Sequence, residues 1–247
     1  MLPVVALVAL LGLTFWLLPD RGGGSGDAGD AAAASGPSDA AAAPAQDSPE
    51  QKAAREEAFA QMAALARLEP GDPLALGDVD APVVLINYSE FQCPFCGRYS
   101  RETEPTLVEE YVDEGLLRIE WHDFPYLGQE STTAAHAGRA AGEQGAFWEF
   151  HEAIFADQPS PNSGTLTPEY LADVAADLGL DREQFLADLA SEEAAAGVER
   201  DFQAGMSIGI SGTPAFLVNG RPLMGAQPTE TFQQFIDEAL AEAGVGR

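Results

Sequence analysis

The chain has 247 residues, of which 46% are hydrophobic and 21% are charged, so it can build one large or two small cores and is not fibrous or wholly disordered. Its 12 Lys and Arg residues against 40 Asp and Glu residues give a formal net charge of −28. This excess of acid favours a soluble monomer and excludes nucleic acid as an expected partner, because phosphate binding needs a basic patch.

Residues 1–19 predict a membrane anchor or a signal segment. Thr14 is the only polar side chain before Pro19, and the apolar stretch is just long enough to cross a bilayer. We expect a single-pass anchor in the cell membrane with the remainder on the outer face, since one vicinal cysteine pair suits an oxidising compartment. Arg21 favours the opposite orientation, and a cleaved, secreted form is a further alternative.

Residues 20–47 are rich in Gly, Ala, Ser and Pro and contain no large apolar side chain, which predicts a flexible linker. An N-terminal helical segment follows over residues 48–71. Ser48 is suited to the N-cap and Pro49 to the first helical position, and the helix is predicted to end near Leu68. Its predicted apolar stripe consists of Phe59, Met62, Leu65 and Leu68.

Residues 72–247 alternate strand and helix patterns, which predicts an α/β domain. The predicted order is a strand over 82–88, a helix over 93–114, a strand over 116–124, a helical insertion over about 130–208, a hairpin of strands 215–218 and 221–224, and a helix over 230–243. The Asn-Gly pair between the last two strands is a strong hairpin signal.

Cys93 and Cys96 are the only cysteines, and they are spaced as Cys-x-x-Cys directly after the first predicted strand. Pro94 then occupies the first position of the following helix, which puts Cys93 at the helix N-terminus. Free backbone N–H groups and the helix dipole favour a thiolate there, so we expect a depressed pKa for Cys93. Cys96 lies on the same face, where it can form a disulfide with Cys93 and resolve a mixed disulfide.

Two other uses of a Cys-x-x-Cys pair are a zinc site and a structural crosslink. Zinc needs two further ligands, and His122, His136 and His151 lack the spacing of a metal site. A disulfide that closes so short a loop stabilises a domain by only about 2 kcal/mol. The pair therefore predicts thiol–disulfide exchange, without a metal or a cofactor.

From Asp72 to its end the chain resembles the DsbA-like thiol–disulfide oxidoreductases of the thioredoxin superfamily, closest to the membrane-anchored bacterial branch. The resemblance rests on the segments 89–96 (SEFQCPFC), 121–125 (WHDFP), 145–151 (GAFWEFH) and 212–220 (GTPAFLVNG). It implies a thioredoxin-like fold with an inserted helical domain. It also implies that Thr213-Pro214 is a cis-proline loop beside the dithiol, where it pairs with an extended substrate and Thr213 tunes exchange.

Three positions near the dithiol matter in this comparison. Phe95, in the active-site loop with Pro94, replaces the His of the best-known members, which implies a weaker oxidant than those but a stronger one than thioredoxin. Asn87 stands where many thioredoxin-fold enzymes have a buried acid. Glu90 matches an acid of the anchored branch and is a candidate proton relay, the alternative being an exposed loop carboxylate.

The leading hypothesis is a dithiol oxidase that introduces disulfides into reduced, exported proteins. Its expected reoxidant is a membrane quinone-linked partner, either DsbB-like or related to vitamin K epoxide reductase. A reductase or isomerase on the same fold is the second hypothesis. The third is a tethered chaperone or adaptor without redox chemistry.

Overall fold

A five-stranded mixed sheet forms the centre of this computed structural model, which describes residues 48–246. The strands are β1 (Ala75–Leu76), β2 (Val83–Ser89), β3 (Leu117–Asp123), β4 (Ala215–Val218) and β5 (Arg221–Met224). They lie in the order β1-β3-β2-β4-β5, with β2 and β3 parallel and the other pairs antiparallel. All of β3 and nearly all of β2 are buried, as expected for a central parallel pair covered on both faces.

Nine α-helices and one π-helical turn surround the sheet in the described part of the chain. They are α1 (Pro49–Ala63), α2 (Pro94–Glu102), α3 (Glu104–Leu107), the π-helical turn (Val108–Val112), α4 (Gln129–Glu143), α5 (Phe147–Ala156), α6 (Pro168–Asp177), α7 (Arg182–Leu189), α8 (Glu192–Ser207) and α9 (Thr229–Glu242). Helices α4 to α8 are inserted between β3 and β4, so the fold is the expected α/β, thioredoxin-like one with a helical insertion.

The hairpin of β4 and β5 turns at Asn219 and Gly220, which have φ angles of 45° and 81°. Both lie in the left-handed region that this turn requires. A Cβ on Gly220 would also lie 2.0 Å from the carbonyl oxygen of Phe59, so glycine lets α1 pack closely on the hairpin. The sequence signal for this turn is therefore confirmed.

Two predicted helices differ from the structure. Helix α1 ends at Ala63, and Leu68, which has a φ of 49° and is 49% exposed, does not belong to its apolar stripe. The predicted helix over 93–114 is broken after Glu102, because Pro105 has no N–H for a helical hydrogen bond. Strand β1 was not predicted, since two residues carry too little periodic pattern.

The dithiol lies where the sheet meets the helical insertion. Cys93 and Cys96 belong to a buried cluster whose other members come mainly from α4 to α7. A second cluster joins β2, β3 and β4 to α2 and α9 on the sheet. The predicted anchor (1–19) and linker (20–47) lie outside the described residues. Between residues 48 and 246, no helix is long and apolar enough to span a bilayer.

Candidate active site

Cys93 is the N-cap of α2, as predicted, with Pro94 at the first helical position. The backbone N–H of Cys96 donates to Cys93 Sγ at 3.3 Å. Both cysteines carry free thiols and are nearly fully buried, with exposures of 2% for Cys93 and 1% for Cys96. Both sulfurs therefore lie at the start of α2, and a backbone N–H group is directed at Cys93 Sγ.

This geometry separates the acidities of the two thiols. A hydrogen bond from the Cys96 thiol is the main cause that lowers the pKa of Cys93, to about 6, and the backbone N–H groups of Cys96 and Phe95 add to it against the opposing effect of burial. Burial raises the pKa of Cys96 well above its ordinary value, and the neighbouring Cys93 raises it further. At pH 7 a pKa of about 6 leaves Cys93 about 90% ionised.

The loop before β4 closes the site from the other side. The Thr213-Pro214 peptide bond is cis, as the resemblance implied. Cys93 Sγ lies 3.3 Å from the carbonyl oxygen of Thr213 and donates to it when protonated. The side chain of Thr213 also helps to lower the pKa of Cys93. Because β4 pairs with β2, the sheet fixes this loop beside the dithiol.

Glu90 is 1% exposed, so the alternative of an exposed loop carboxylate is wrong. Neither of its oxygens has a hydrogen-bond partner within residues 48–246. Burial, together with the negative charge of Cys93, raises the pKa of Glu90 to about 7. Asn87, the other position considered, is also buried in β2.

Two aromatic side chains lie at the surface of the site. Phe95 is 58% exposed, and the guanidinium carbon of Arg98 lies 5.4 Å from its ring centroid. Tyr126 is 43% exposed and was not singled out in the sequence. Its pKa is raised by burial and by the negative charge of Cys93. Its only sequence signal is its position directly after the segment 121–125.

Gln158, which follows α5, is a positioning residue that sequence reasoning missed. Its Nε2 donates to the carbonyl oxygens of Phe91 and Cys93, at 2.8 and 2.9 Å. Gly97 leaves room for this, since a Cβ there would lie 2.3 Å from Gln158 Oε1. These partners are 67 and 65 residues from Gln158 along the chain, so no local pattern could reveal them.

Substituting Gln158→Leu is expected to lower the free energy of unfolding by about 1–3 kcal/mol, because it leaves carbonyl oxygens of the active-site turn without their donor. Urea denaturation of the reduced chain measures this. Gln203→Leu is the matched control, since Gln203 is exposed and bonds only to Glu199 on its own helix, so a change below about 0.5 kcal/mol is expected. Equal losses in both variants would contradict a positioning role for Gln158.

No group of three or more His, Cys, Asp or Glu side chains in the described part of the chain is arranged to hold a metal ion. His122, His136 and His151 lie on β3, α4 and α5, respectively, so the structure does not assemble them into one site.

Comparisons with known proteins give the chain its family. The thioredoxin family described by one sequence model matches residues 69–238. The probable disulfide bond formation protein D of Bacillus anthracis is 33% identical over 67% of this chain and 77% of that protein. The oxidised crystal structure of BdbD from Bacillus subtilis is similar with a TM-score of 0.64 and 26% identity, covering 69% of this chain and 94% of that one.

A relative of a different kind is Na(+)/H(+) antiporter NhaA 3 of Salinispora tropica, which is 34% identical over 71% of this chain. The match covers only 26% of the antiporter, so the chain spans about a quarter of that relative's length. The matched segments and the fold together lead to one conclusion. The chain belongs to the DsbA-like thiol–disulfide oxidoreductase family of the thioredoxin superfamily.

Proposed function

We propose that this chain is a dithiol oxidase that introduces disulfides into reduced, exported proteins. The observation that carries the proposal is the contrast within the pair, in which the pKa of Cys93 is lowered to about 6 and that of Cys96 is raised. A sulfur that is stable as a thiolate is a good leaving group, so the disulfide of this pair is readily given away.

The transfer has two steps. A substrate thiolate attacks Cys93 Sγ of the oxidised pair, a mixed disulfide forms, and the Cys93–Cys96 bond breaks, with Cys96 taking up a proton. A second substrate thiolate then attacks the substrate sulfur of the mixed disulfide and releases Cys93 as a thiolate. Two electrons pass from the substrate dithiol to the protein dithiol, and the substrate gains one disulfide.

The surrounding residues have distinct roles in this proposal. Pro94 and Phe95 shape the loop at which the substrate arrives, and the exposed Phe95 ring offers it an apolar contact. The Thr213-Pro214 loop pairs with an extended substrate segment, and Thr213 tunes the acidity of Cys93. No metal or cofactor takes part in these steps.

Glu90 is proposed as the proton relay of the dithiol, because a carboxyl with a pKa of about 7 can both accept and donate near neutral pH. In the reaction with a reoxidant, Cys96 must lose its proton to attack the mixed disulfide at Cys93. This attack needs a base, since the pKa of Cys96 is raised.

Glu90→Gln is expected to slow this attack by about a hundredfold at pH 7. It should also remove the rise in rate near that pH, because Glu90 acts as a base only above its pKa of about 7. The measurement is the release of glutathione from a mixed disulfide on Cys93, followed against pH. Glu90→Asp, which keeps a carboxylate, should retain a pH-dependent step. An unchanged pH profile in Glu90→Gln would exclude the relay.

A dithiol oxidase must itself be reoxidised after each turnover. We propose a membrane quinone-linked partner, DsbB-like or related to vitamin K epoxide reductase, and an N-terminal anchor over residues 1–19 that holds the domain on the outer face of the cell membrane. An enzyme reporter that is active only outside the cytoplasm, fused to the C-terminus, tests the orientation. Activity of the fusion supports the outer face, and its absence supports the cytoplasm.

The test of the function is a redox titration of the purified chain against glutathione. We expect a reduction potential above that of thioredoxin, which is about −270 mV. A potential at or below that value would overturn the oxidase proposal and favour a reductase. An oxidase should introduce disulfides into a reduced, unfolded protein and leave their rearrangement to another enzyme. An isomerase should itself convert incorrect disulfides into correct ones.

A further inference from the structure

A cavity of about 570 Å³ lies between the end of α2, the π-helical turn and α5. Its size is within the range of small-molecule sites, about 300–1,000 Å³. It shares none of its lining residues with the dithiol, the Thr213-Pro214 loop or the residues that position them. The lining residues used below are Glu104, Val108, Glu109, Trp148, His151 and Glu152.

Three residues that line this cavity each have a buried polar atom without a partner. Glu104 Oε2, His151 Nε2 and Trp148 Nε1 are buried, and none of them has a hydrogen-bond partner in residues 48–246. Glu104 is 7% exposed and His151 is 2% exposed. His151 Nδ1 lies 3.7 Å from Glu104 Oε1, which is too long for a hydrogen bond. Buried polar groups are nearly always paired, so this cluster points to a ligand.

The charges around the cavity are mainly negative. Glu109, Asp113 and Glu152 line it together with Glu104. Arg101 is its only cationic lining residue in the described chain, and its Nη1 is bonded to the carbonyl oxygen of Phe155 at 2.5 Å. An anionic ligand would therefore be repelled, and a cation would offset the repulsion between the carboxylates.

The other walls decide which kind of cation fits. Leu76, Pro105 and Val108 are apolar, and Trp148 adds an indole ring whose face can attract a cation. The described residues offer no cluster of three metal-ligating side chains, which argues against a metal ion. An elongated organic cation matches both the apolar walls and the acidic lining residues.

We propose that this cavity binds an alkylammonium or alkylguanidinium group, with the charged head against Glu104 and the alkyl chain along Leu76, Pro105 and Val108. The same chemistry is found in free amines and in Lys or Arg side chains of another polypeptide. The site is independent of the thiol–disulfide activity, since its residues take no part in the exchange.

Binding is coupled to the release of a proton. Burial raises the pKa of Glu104 to about 8, and Glu152 adds to the effect, so Glu104 is mostly protonated at pH 7. Burial lowers the pKa of His151 to about 3, so its ring is neutral there. The other charged or titratable groups around Glu104 are Arg101, the buried Tyr99 and the exposed carboxylates of the rim. A cation favours the ionised form of Glu104, so its affinity should rise with pH up to about 8.

Isothermal titration of the full chain with butylguanidine at pH 7, in two buffers of different ionisation enthalpy, tests the proposal. We expect binding with release of close to one proton, and at least tenfold weaker binding of the neutral analogue butylurea. The peptide Gly-Arg-Gly forms the second arm. Tighter binding of the peptide identifies a protein side chain as the source, and tighter binding of butylguanidine identifies a free amine.

Three variants separate the site from general charge effects. Glu104→Gln, which resembles the protonated acid, should lose at least tenfold in affinity and all proton release. Glu109→Gln removes one rim charge and should change the affinity less than threefold. Ala156→Trp, which adds an indole ring at a residue that lines the cavity, should also abolish binding. Unchanged binding in Glu104→Gln or Ala156→Trp, equal binding of butylurea, or no binding of either cationic probe would overturn the proposal.

Discussion

Replacing Cys93 by serine is expected to abolish the oxidation of reduced, unfolded protein, with a loss of at least about a thousandfold, the scale seen when a nucleophile is removed. The reason is chemical, since a hydroxyl can neither form the mixed disulfide nor leave as a stable thiolate. The pKa of Cys93 is lowered mainly by a hydrogen bond from the Cys96 thiol and further by backbone N–H groups at the start of α2, so this sulfur is the one favoured as a thiolate. The measurement is the rate of disulfide formation in a reduced substrate, with the oxidised chain in excess.

Cys96→Ser is the matched variant, because it keeps Cys93 and removes the sulfur that resolves the mixed disulfide. When Cys93 is first converted to its mixed disulfide with glutathione, a substrate thiolate attacks Cys93 Sγ and releases glutathione as a thiolate. Cys96→Ser should then accumulate a covalent complex with substrate, visible on a non-reducing gel, which Cys93→Ser cannot form. If Cys93→Ser retained full cellular function, the tethered chaperone or adaptor hypothesis would replace the oxidase. Loss of the complex in both variants would indicate that neither sulfur contacts substrate.

The sequence predicted those parts of the site that depend on local rules. The start of α2 at Cys93 and Pro94 follows from capping preferences within a few residues, and the hairpin at Asn219 follows from its turn signal. The cis bond before Pro214 came from the family resemblance, since nothing in a Gly-Thr-Pro sequence distinguishes it from an ordinary turn.

The rest of the site depends on contacts between distant segments. Glu90 is 1% exposed, although its spacing from Cys93 fits an exposed loop equally well. Gln158 reaches the active-site turn from 65 residues away. Glu104 of α3 lies beside His151 of α5, with 3.7 Å between Oε1 and Nδ1. Periodicity predicts only that α5 packs, and it cannot show that His151 Nε2 has no partner within residues 48–246.

One of the two differences between the predicted and the observed helices has a local cause. Pro105 lies within the predicted helix over 93–114 and disfavours its continuation, so the break after Glu102 had a signal in the sequence. The π-helical turn that follows had none, because a wider turn depends on the packing around it. That turn supplies Val108 and Glu109 to the cavity lined by Glu104 and His151. The segment that the sequence predicts least well therefore contributes to the newly inferred site.

Replacing Cys96 by alanine is expected to raise the pKa of Cys93 from about 6 toward the ordinary value of about 8.5, because the hydrogen bond from the Cys96 thiol is the main cause of the depression. The rate of alkylation by iodoacetamide against pH measures this directly. In the reduced chain it should be half-maximal near pH 6, with Cys96 unreactive. Cys96→Ser keeps a donor at this position and should leave the midpoint close to that of the native chain.

The same shift predicts how the stability of the reduced chain depends on pH. A group whose folded pKa is lowered contributes stability that is present above its unfolded pKa and is lost as the pH falls through the folded value. For Cys93 this window runs from about 8.5 down to about 6. Cys96 opposes this effect only at the upper end of the window, where it ionises in the unfolded chain but, since its pKa is raised, stays protonated in the folded one. The pKa values of Glu90 and Glu104 are raised to about 7 and about 8, so both groups give the opposite slope in part of this window, and the contribution of Cys93 is read as a difference between two chains. In urea unfolding, the stability of the native reduced chain relative to that of Cys96→Ala should rise with pH from about 6 to about 8.5. The same pH dependence in both chains would mean that the backbone amides of α2, rather than the second thiol, hold Cys93 as a thiolate.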